Sequence, residues 1–249
     1  MSGHNKWANI KARKGSQDAK RGKMFTKTAK EIIISAKLGG GDPDGNARLR
    51  AAIQAARALN MPNDNIKRAI ARGTGAEGDT QIEEVIYEGF GPNGVAILVE
   101  GTTDNRNRTT GEIRHTFSKY GGNLGLQGCV ARMFVRQGEI TIPAEGLSED
   151  KVFEAAIEAG ADDVEREDES FMIYTKFEDM HPVSEALTKA GMPVASVRAV
   201  YTPTVTTKLA GDQGRGLLKL IDALEDNDDV QNVWANFDMD EKDMEAFEG

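Results

Sequence analysis

Nine cations, Lys6, Lys11, Arg13, Lys14, Lys20, Arg21, Lys23, Lys27 and Lys30, crowd into the first thirty residues against one acid, Asp18. The chemistry open to such a set is phosphate neutralisation, in which each lysine or arginine releases a condensed counterion. Trp7 stands among them and is counted with them as a nucleic-acid contact. Charge runs usually mean a solvated tail. Trp7 and Ile10, however, are apolar anchors that a tail does not need. Gly15, Gly22 and the small residues around them let the backbone approach a phosphate surface. A nucleic-acid contact is therefore expected here.

The rest of the chain is of opposite sign. Residues 1–72 hold 16 Lys and Arg and 5 Asp and Glu, a net of +11, so with −9 overall the remainder carries −20. One end can meet a polyanion while the body repels it. A second anion contact is expected at Arg106 and Arg108, in the first turn of a helix that Thr103 or Asp104 caps. Cations there oppose the helix dipole, so a bound anion or acids from another domain would offset them. Pairing with a near carboxylate such as Glu112 is the alternative.

Other reactive residues do not assemble into an enzyme site. His4, His115 and His181 are far apart, and none has metal-ligand spacing. Neither a nucleophile elbow nor a Lys-Ser/Thr phosphate loop is present. Gly211-Asp-Gln-Gly-Arg-Gly216 reads as a loop before a helix, and the acids at 162–163 and 226–229 as solvated turns. A single cysteine, Cys129, excludes an internal disulfide and fits a reducing, cytoplasmic setting. No apolar run approaches the roughly 20 residues that span a bilayer, and with its charged start no secretory signal is expected. No cofactor, metal or membrane partner is expected.

These residues need elements to hold them. Apolar spacing predicts helices over 24–38, 47–59 and a short stretch from 63 or 64 to 73, a small three-helix bundle. Gly39-Gly-Gly41 stops the first, Asn63 or Asp64 caps the third, and 73–80 has linker composition. Strands follow over 84–90 and 95–100, a helix over 105–120 and a strand over 130–135. Residues 138–202 read β-α-β-β-α-β, the order of a ferredoxin-like unit. A helix over 216–224 and a strand over 230–237 come last, and most simply pair with the strands before 136. An acidic tail follows.

The expected class is α+β and multidomain: an N-terminal three-helix bundle, a middle α+β domain and a ferredoxin-like domain inserted into it. The expected boundaries are 1–80 for the basic arm and helical domain, 81–136 plus 204–249 for the middle domain, and 137–203 for the insert.

The motifs resemble those of the YebC/PmpR family, whose eukaryotic relatives are mitochondrial translational activators. Gly3-His-Asn-Lys-Trp-Ala-Asn-Ile-Lys11, Gln17-Asp-Ala-Lys-Arg-Gly-Lys23, Gly39-Gly-Gly-Asp-Pro43 and Asn60-Met-Pro-Asn-Asp-Asn-Ile66 resemble its N-terminal signature. Tyr87-Glu-Gly-Phe-Gly-Pro92, Thr103-Asp-Asn-Arg-Asn-Arg-Thr109 and Gly121-Gly-Asn-Leu-Gly125 resemble its middle-domain motifs. Asn5, Cys129 and Arg132 depart from the usual Ser, Ser and Trp. The resemblance implies three domains and a non-enzymatic cytoplasmic protein, usually classed as a DNA-binding transcriptional regulator. Relatives are also linked to the ribosome. Two partners are therefore kept: DNA, and ribosomal RNA for a ribosome-associated translation factor.

Overall fold

Phe25, Ala29, Ile32, Ile33 and Ala36 recur at helical spacing, and they form the inner face of α1 (Gln17–Gly39). In this computed structural model residues 7, 10, 17–76, 78, 81–167 and 169–247 are described, with backbone alone for 17–21. Gly40 ends α1 in the left-handed region, at φ 86°, and its N–H bonds Ala36 O at 2.9 Å. Asn46 caps α2 (Ala47–Ala58) by accepting from Leu49 N, and its amide nitrogen donates to Ser35 O and Gly40 O. This one buried side chain fixes how α2 leaves α1. The third helix, α3 (Asn63–Gly73), has Pro62 at its N-cap and no side-chain cap bond, so the expected capping by Asn63 or Asp64 is corrected. Gly73 lets α3 touch α1: a Cβ there would lie 2.3 Å from Ile33 O. Of the stretch with linker composition, 77, 79 and 80 lie outside the described residues.

The middle domain is built from both flanks of the insert. Strand β1 (Glu83–Phe90) pairs antiparallel with β2 (Ala96–Thr103). The sheet is completed by β3 (Asn123–Leu124) beside β1 and by β9 (Val230–Ala235) beside β2. Its order is β3-β1-β2-β9. The helix α4 (Arg106–Lys119) gives Ile113 and Phe117 to its core, and α7 (Asp212–Glu225) gives Leu217, Leu220, Ile221 and Leu224. Asn105, not Thr103 or Asp104, caps α4 by accepting from Arg108 N.

Residues 130–135 do not form a strand of this sheet. Glu88 carries a buried carboxylate that accepts from the backbone N–H groups of Gly128, Val130 and Ala131 at 2.7, 2.8 and 2.7 Å. Those donors are spent on a side chain and cannot enter a ladder, so strand structure begins only at β4 (Phe134–Pro143). The acidic tail is also corrected. It contains β10 (Phe237–Asp238), which pairs parallel with β8 (Thr207–Lys208), and the short helix α8 (Glu241–Glu245). Met239, Met244 and Phe247 sink into the middle-domain core, so acids outside and apolar groups inside make this segment amphipathic.

By contacts, the chain separates into Phe134–Thr202 and a second unit holding Ser2–Met133 with Pro203–Gly249. The first is ferredoxin-like. Its elements are β4, α5 (Glu149–Ala159), β5 (Asp163–Glu167), β6 (Ser170–Lys176), α6 (Met180–Lys189) and β7 (Ser196–Pro203). The sheet order is β5-β6-β4-β7, with β6 antiparallel to both β4 and β5. Ile140, Ile142, Phe171 and Ile173 meet Val152, Ala156, Val183 and Leu187 of the two helices. Ser148 stands at the N-cap of α5, and its side chain makes no cap hydrogen bond. Two nitrogens of Arg198 on β7 stand 2.6 Å from Glu139 Oε1 on β4.

Candidate nucleic-acid interface

Lys23, Lys27 and Lys30 lie at i, i+4 and i+7, which puts them on one face of α1. That face meets the carboxyl end of α7, where unsatisfied carbonyls and the helix dipole favour cations. Lys23 Nζ is 3.1 Å from Asp226 Oδ1, and Lys27 Nζ donates to Glu225 O at 2.6 Å. Lys30 Nζ donates to Asp228 O at 2.8 Å and to Asp229 Oδ1 at 2.5 Å.

Asp229 is the centre of this contact. Its other carboxylate oxygen accepts from Arg108 at 2.7 Å and from Thr109 at 2.6 Å. Burial raises the carboxyl's pKa, but the hydrogen bonds from Arg108, Lys30 and Thr109 outweigh it and hold the group at about 2. Arg108 also reaches Asp104 at 3.0 Å and Glu112 at 4.0 Å, and Arg106 lies 3.7 Å from Glu83.

Several expectations are corrected by these contacts. For Arg106 and Arg108 the carboxylate alternative holds: Glu83 faces Arg106, and Asp229, Asp104 and Glu112 face Arg108. The acids at 226–229 are not merely a solvated turn, because Asp229 is buried and bonded on both oxygens. Lys27 and Lys30 are engaged with α7 and the turn after it, and Lys23 reaches there too, so their ammonium groups are not held ready for phosphate. Trp7 is 3% exposed, and its ring stands edge-on to Phe247 with centroids 5.4 Å apart. With Ile10 it belongs to the middle-domain core, so its ring does not present a face to a nucleic acid. Lys6, Lys11, Arg13 and Lys14 lie outside the described residues, as do the side chains of Lys20 and Arg21.

Further cations stand exposed on the helical domain, beyond the contact residues named from the sequence. Lys67 and Arg68 on α3 and Arg57 on α2 are exposed, and none has a carboxylate partner among the described residues. The signal was available: in α3, Ile66 and Ala69 take the buried face, which turns 67 and 68 outward. Among the described residues no group of three or more His, Cys, Asp and Glu could hold a metal ion. No helix among them is long and apolar enough to cross a membrane.

A helical domain bearing free cations, joined to an α+β domain that carries a ferredoxin-like insert, defines a multidomain α+β protein. Known proteins match the chain over most of its length. Residues 5–76 match the sequence model described as the TACO1/YebC protein N-terminal domain, and residues 82–237 match the TACO1/YebC second and third domain. The chain belongs to the TACO1/YebC family. A probable transcriptional regulatory protein of Geobacter sulfurreducens is 55% identical over 98% of this chain and 99% of its own. Another from Sulfurihydrogenibium is 54% identical over 100% of both chains. The crystal structure of a conserved hypothetical protein from Aquifex aeolicus superposes with a TM-score of 0.83 at 48% identity, covering 90% of this chain and 92% of that one.

Proposed function

We propose that the chain is a non-enzymatic, cytoplasmic nucleic-acid-binding regulator of gene expression, a DNA-binding transcriptional regulator that uses its N-terminal domain. The observation that carries this reading is charge segregation: +11 over residues 1–72 against −20 over the remainder. Part of the positive charge is neutralised internally through Lys23, Lys27 and Lys30. The reading therefore rests on the cations outside that contact: Lys6, Lys11, Arg13 and Lys14 in the arm, and Lys20, Arg21, Arg57, Lys67 and Arg68 on the helices. The names of the relatives, probable transcriptional regulatory proteins, support a regulatory role. Phosphate contacts fix register and affinity without reading sequence. The same cations would serve ribosomal RNA, so a ribosome-associated translation factor is the second reading.

Binding to duplex DNA and to a ribosomal RNA fragment, measured from 50 to 300 mM KCl, tests this. Contact with about six phosphates gives a log–log salt slope near −5 on duplex DNA. Reversing Lys11, Arg13 and Lys14 to Glu together should abolish binding while the thermal transition stays in place. A flat salt response removes the reading. Affinity for the RNA fragment alone selects the translation factor.

A further inference from the structure

A groove of about 480 Å³ runs between α1 and α3 of the helical domain. Its volume falls within the range of about 300–1,000 Å³ typical of small-molecule sites. Its lining divides by burial. Ile33 is buried and Phe25 and Ala29 are partly so, at i, i+4 and i+8 along α1, and they give an apolar floor with one aromatic ring. Asn65, Arg68 and Arg72 are exposed, at i, i+3 and i+7 along α3, and they give a polar rim on one side. The two helices touch at Gly73, where a side chain would collide with Ile33 O, and the groove extends along the same face toward Phe25 and Asn65.

The rim is not neutralised at Arg68. Its guanidinium donates to Asn65 Oδ1 at 2.8 Å and to Asp64 O at 3.3 Å, both uncharged acceptors. No carboxylate pairs with it among the described residues. Asn65 spends its oxygen on Arg68, which leaves its amide N–H₂ without a partner among the described residues. An apolar helix seated in the groove would desolvate the Arg68 guanidinium against nothing of opposite charge, which is costly. A small inorganic anion would satisfy Arg68 and leave the floor unused. The occupant that satisfies both is flat and apolar in body and anionic at one edge.

We propose that this groove takes one unstacked nucleotide of a single-stranded or bulged nucleic acid. The base lies on Phe25 and Ala29, the Asn65 amide donates to its edge, and Arg68 takes its phosphate. The proposal rests on the nucleic-acid reading above and adds a preference that phosphate contacts alone do not give. A duplex keeps its bases stacked inside, whereas base–aromatic contact requires a splayed strand.

The test compares two fluorescein-labelled probes on the full chain at 100 mM KCl: a 12-nucleotide oligoadenylate, and an abasic sugar-phosphate chain of the same length. The intact oligomer should bind about tenfold tighter, within the range that one base–aromatic stack contributes. Ala29→Leu, which fills the floor, should erase that difference and leave abasic binding and the salt slope unchanged. Thr26→Leu, at an exposed lining position, repeats the test should Ala29→Leu lower the melting temperature. Equal binding of both probes by the wild-type chain overturns the groove proposal while the nucleic-acid reading stands. A retained tenfold difference in the filled variants does the same. Absence of binding to either probe and to duplex DNA overturns both.

Discussion

Lys30 and Asp229 are 199 residues apart in the chain and share a hydrogen-bonded ion pair, the lysine from the first described helix and the aspartate from the turn before β9. Arg108 closes on the same carboxylate from α4. One buried aspartate thus ties the helical domain to two elements of the middle domain. Removing one partner of a buried ion pair leaves the other charges desolvated without compensation.

Asp229→Ala should therefore lower the unfolding free energy by about 2–4 kcal/mol, a little below the buried-pair range because Arg108 is partly solvated. The pH dependence has a definite sign. A carboxyl held near 2 in the folded chain titrates near 3.9 when unfolded, so its stabilisation is complete above about pH 4 and disappears as pH falls toward 2. The shift corresponds to about 2–3 kcal/mol. Denaturant unfolding between pH 2 and 6 should show this loss in the wild-type chain and a shallower profile in the variant. Parallel profiles would refute the role given to Asp229.

Charges of the helical domain divide into those that hold the fold and those left for a partner, and two variants separate them. Lys30→Ala should cost about 1–3 kcal/mol of stability and leave the salt slope of nucleic-acid binding unchanged. Lys67→Glu with Arg68→Glu should alter stability by no more than about 0.5 kcal/mol and make the slope shallower by about two. If Lys30→Ala flattened the slope and the α3 pair did not, the phosphate-facing surface would lie on α1.

The fold was legible wherever one period dominates. The 3.6-residue repeat marked α1, α2 and α3, and the alternation of helix and strand over 138–202 yielded the β5-β6-β4-β7 sheet. The failures share a cause, since each turns on a partner distant in sequence. Nothing near Lys27 or Lys30 announces Glu225 and Asp229, and nothing near Val130 announces that Glu88 will take its N–H. Trp7 was counted as a nucleic-acid contact because its neighbours are charged, while its core partner Phe247 lies in a tail that read as acidic. Part of the candidate surface was visible, because Asn65, Arg68 and Arg72 occupy one stripe of α3 by spacing alone. Their groove was not, because it needs α1 beside them.

Burial and the Glu88 charge together act on the Cys129 thiol. Burial would raise the Glu88 pKa, but three backbone N–H bonds outweigh it and lower it. The thiol beside it is pushed upward, first by burial and then by the Glu88 charge. Less thiolate is then present at neutral pH, and maleimide labelling of Cys129 should be slow at pH 7. Glu88→Gln removes the charge and disrupts the N–H contacts that hold 128–131. It should speed labelling several-fold and cost about 2–4 kcal/mol of stability. An unchanged labelling rate would mean that the loop is held by something other than Glu88.

Trp7 offers the sharpest separation between packing and recognition. Its ring is buried against Phe247, and its indole N–H has no hydrogen-bond partner among the described residues, so apolar contact is what it contributes. Trp7→Ala should cost about 3–5 kcal/mol, as large-to-small changes in a core do. Phe247→Ala should cost a similar amount, and the double variant less than the two together, because each removes the other's contact. Trp7→Phe keeps an apolar ring and forfeits no hydrogen bond, so its cost should stay near or below about 1.5 kcal/mol. Nucleic-acid affinity of Trp7→Phe, measured well below its melting temperature, should equal that of the wild-type chain. A ring that stacked on a base would lose affinity on the same change, so a tenfold loss there would return Trp7 to the interface.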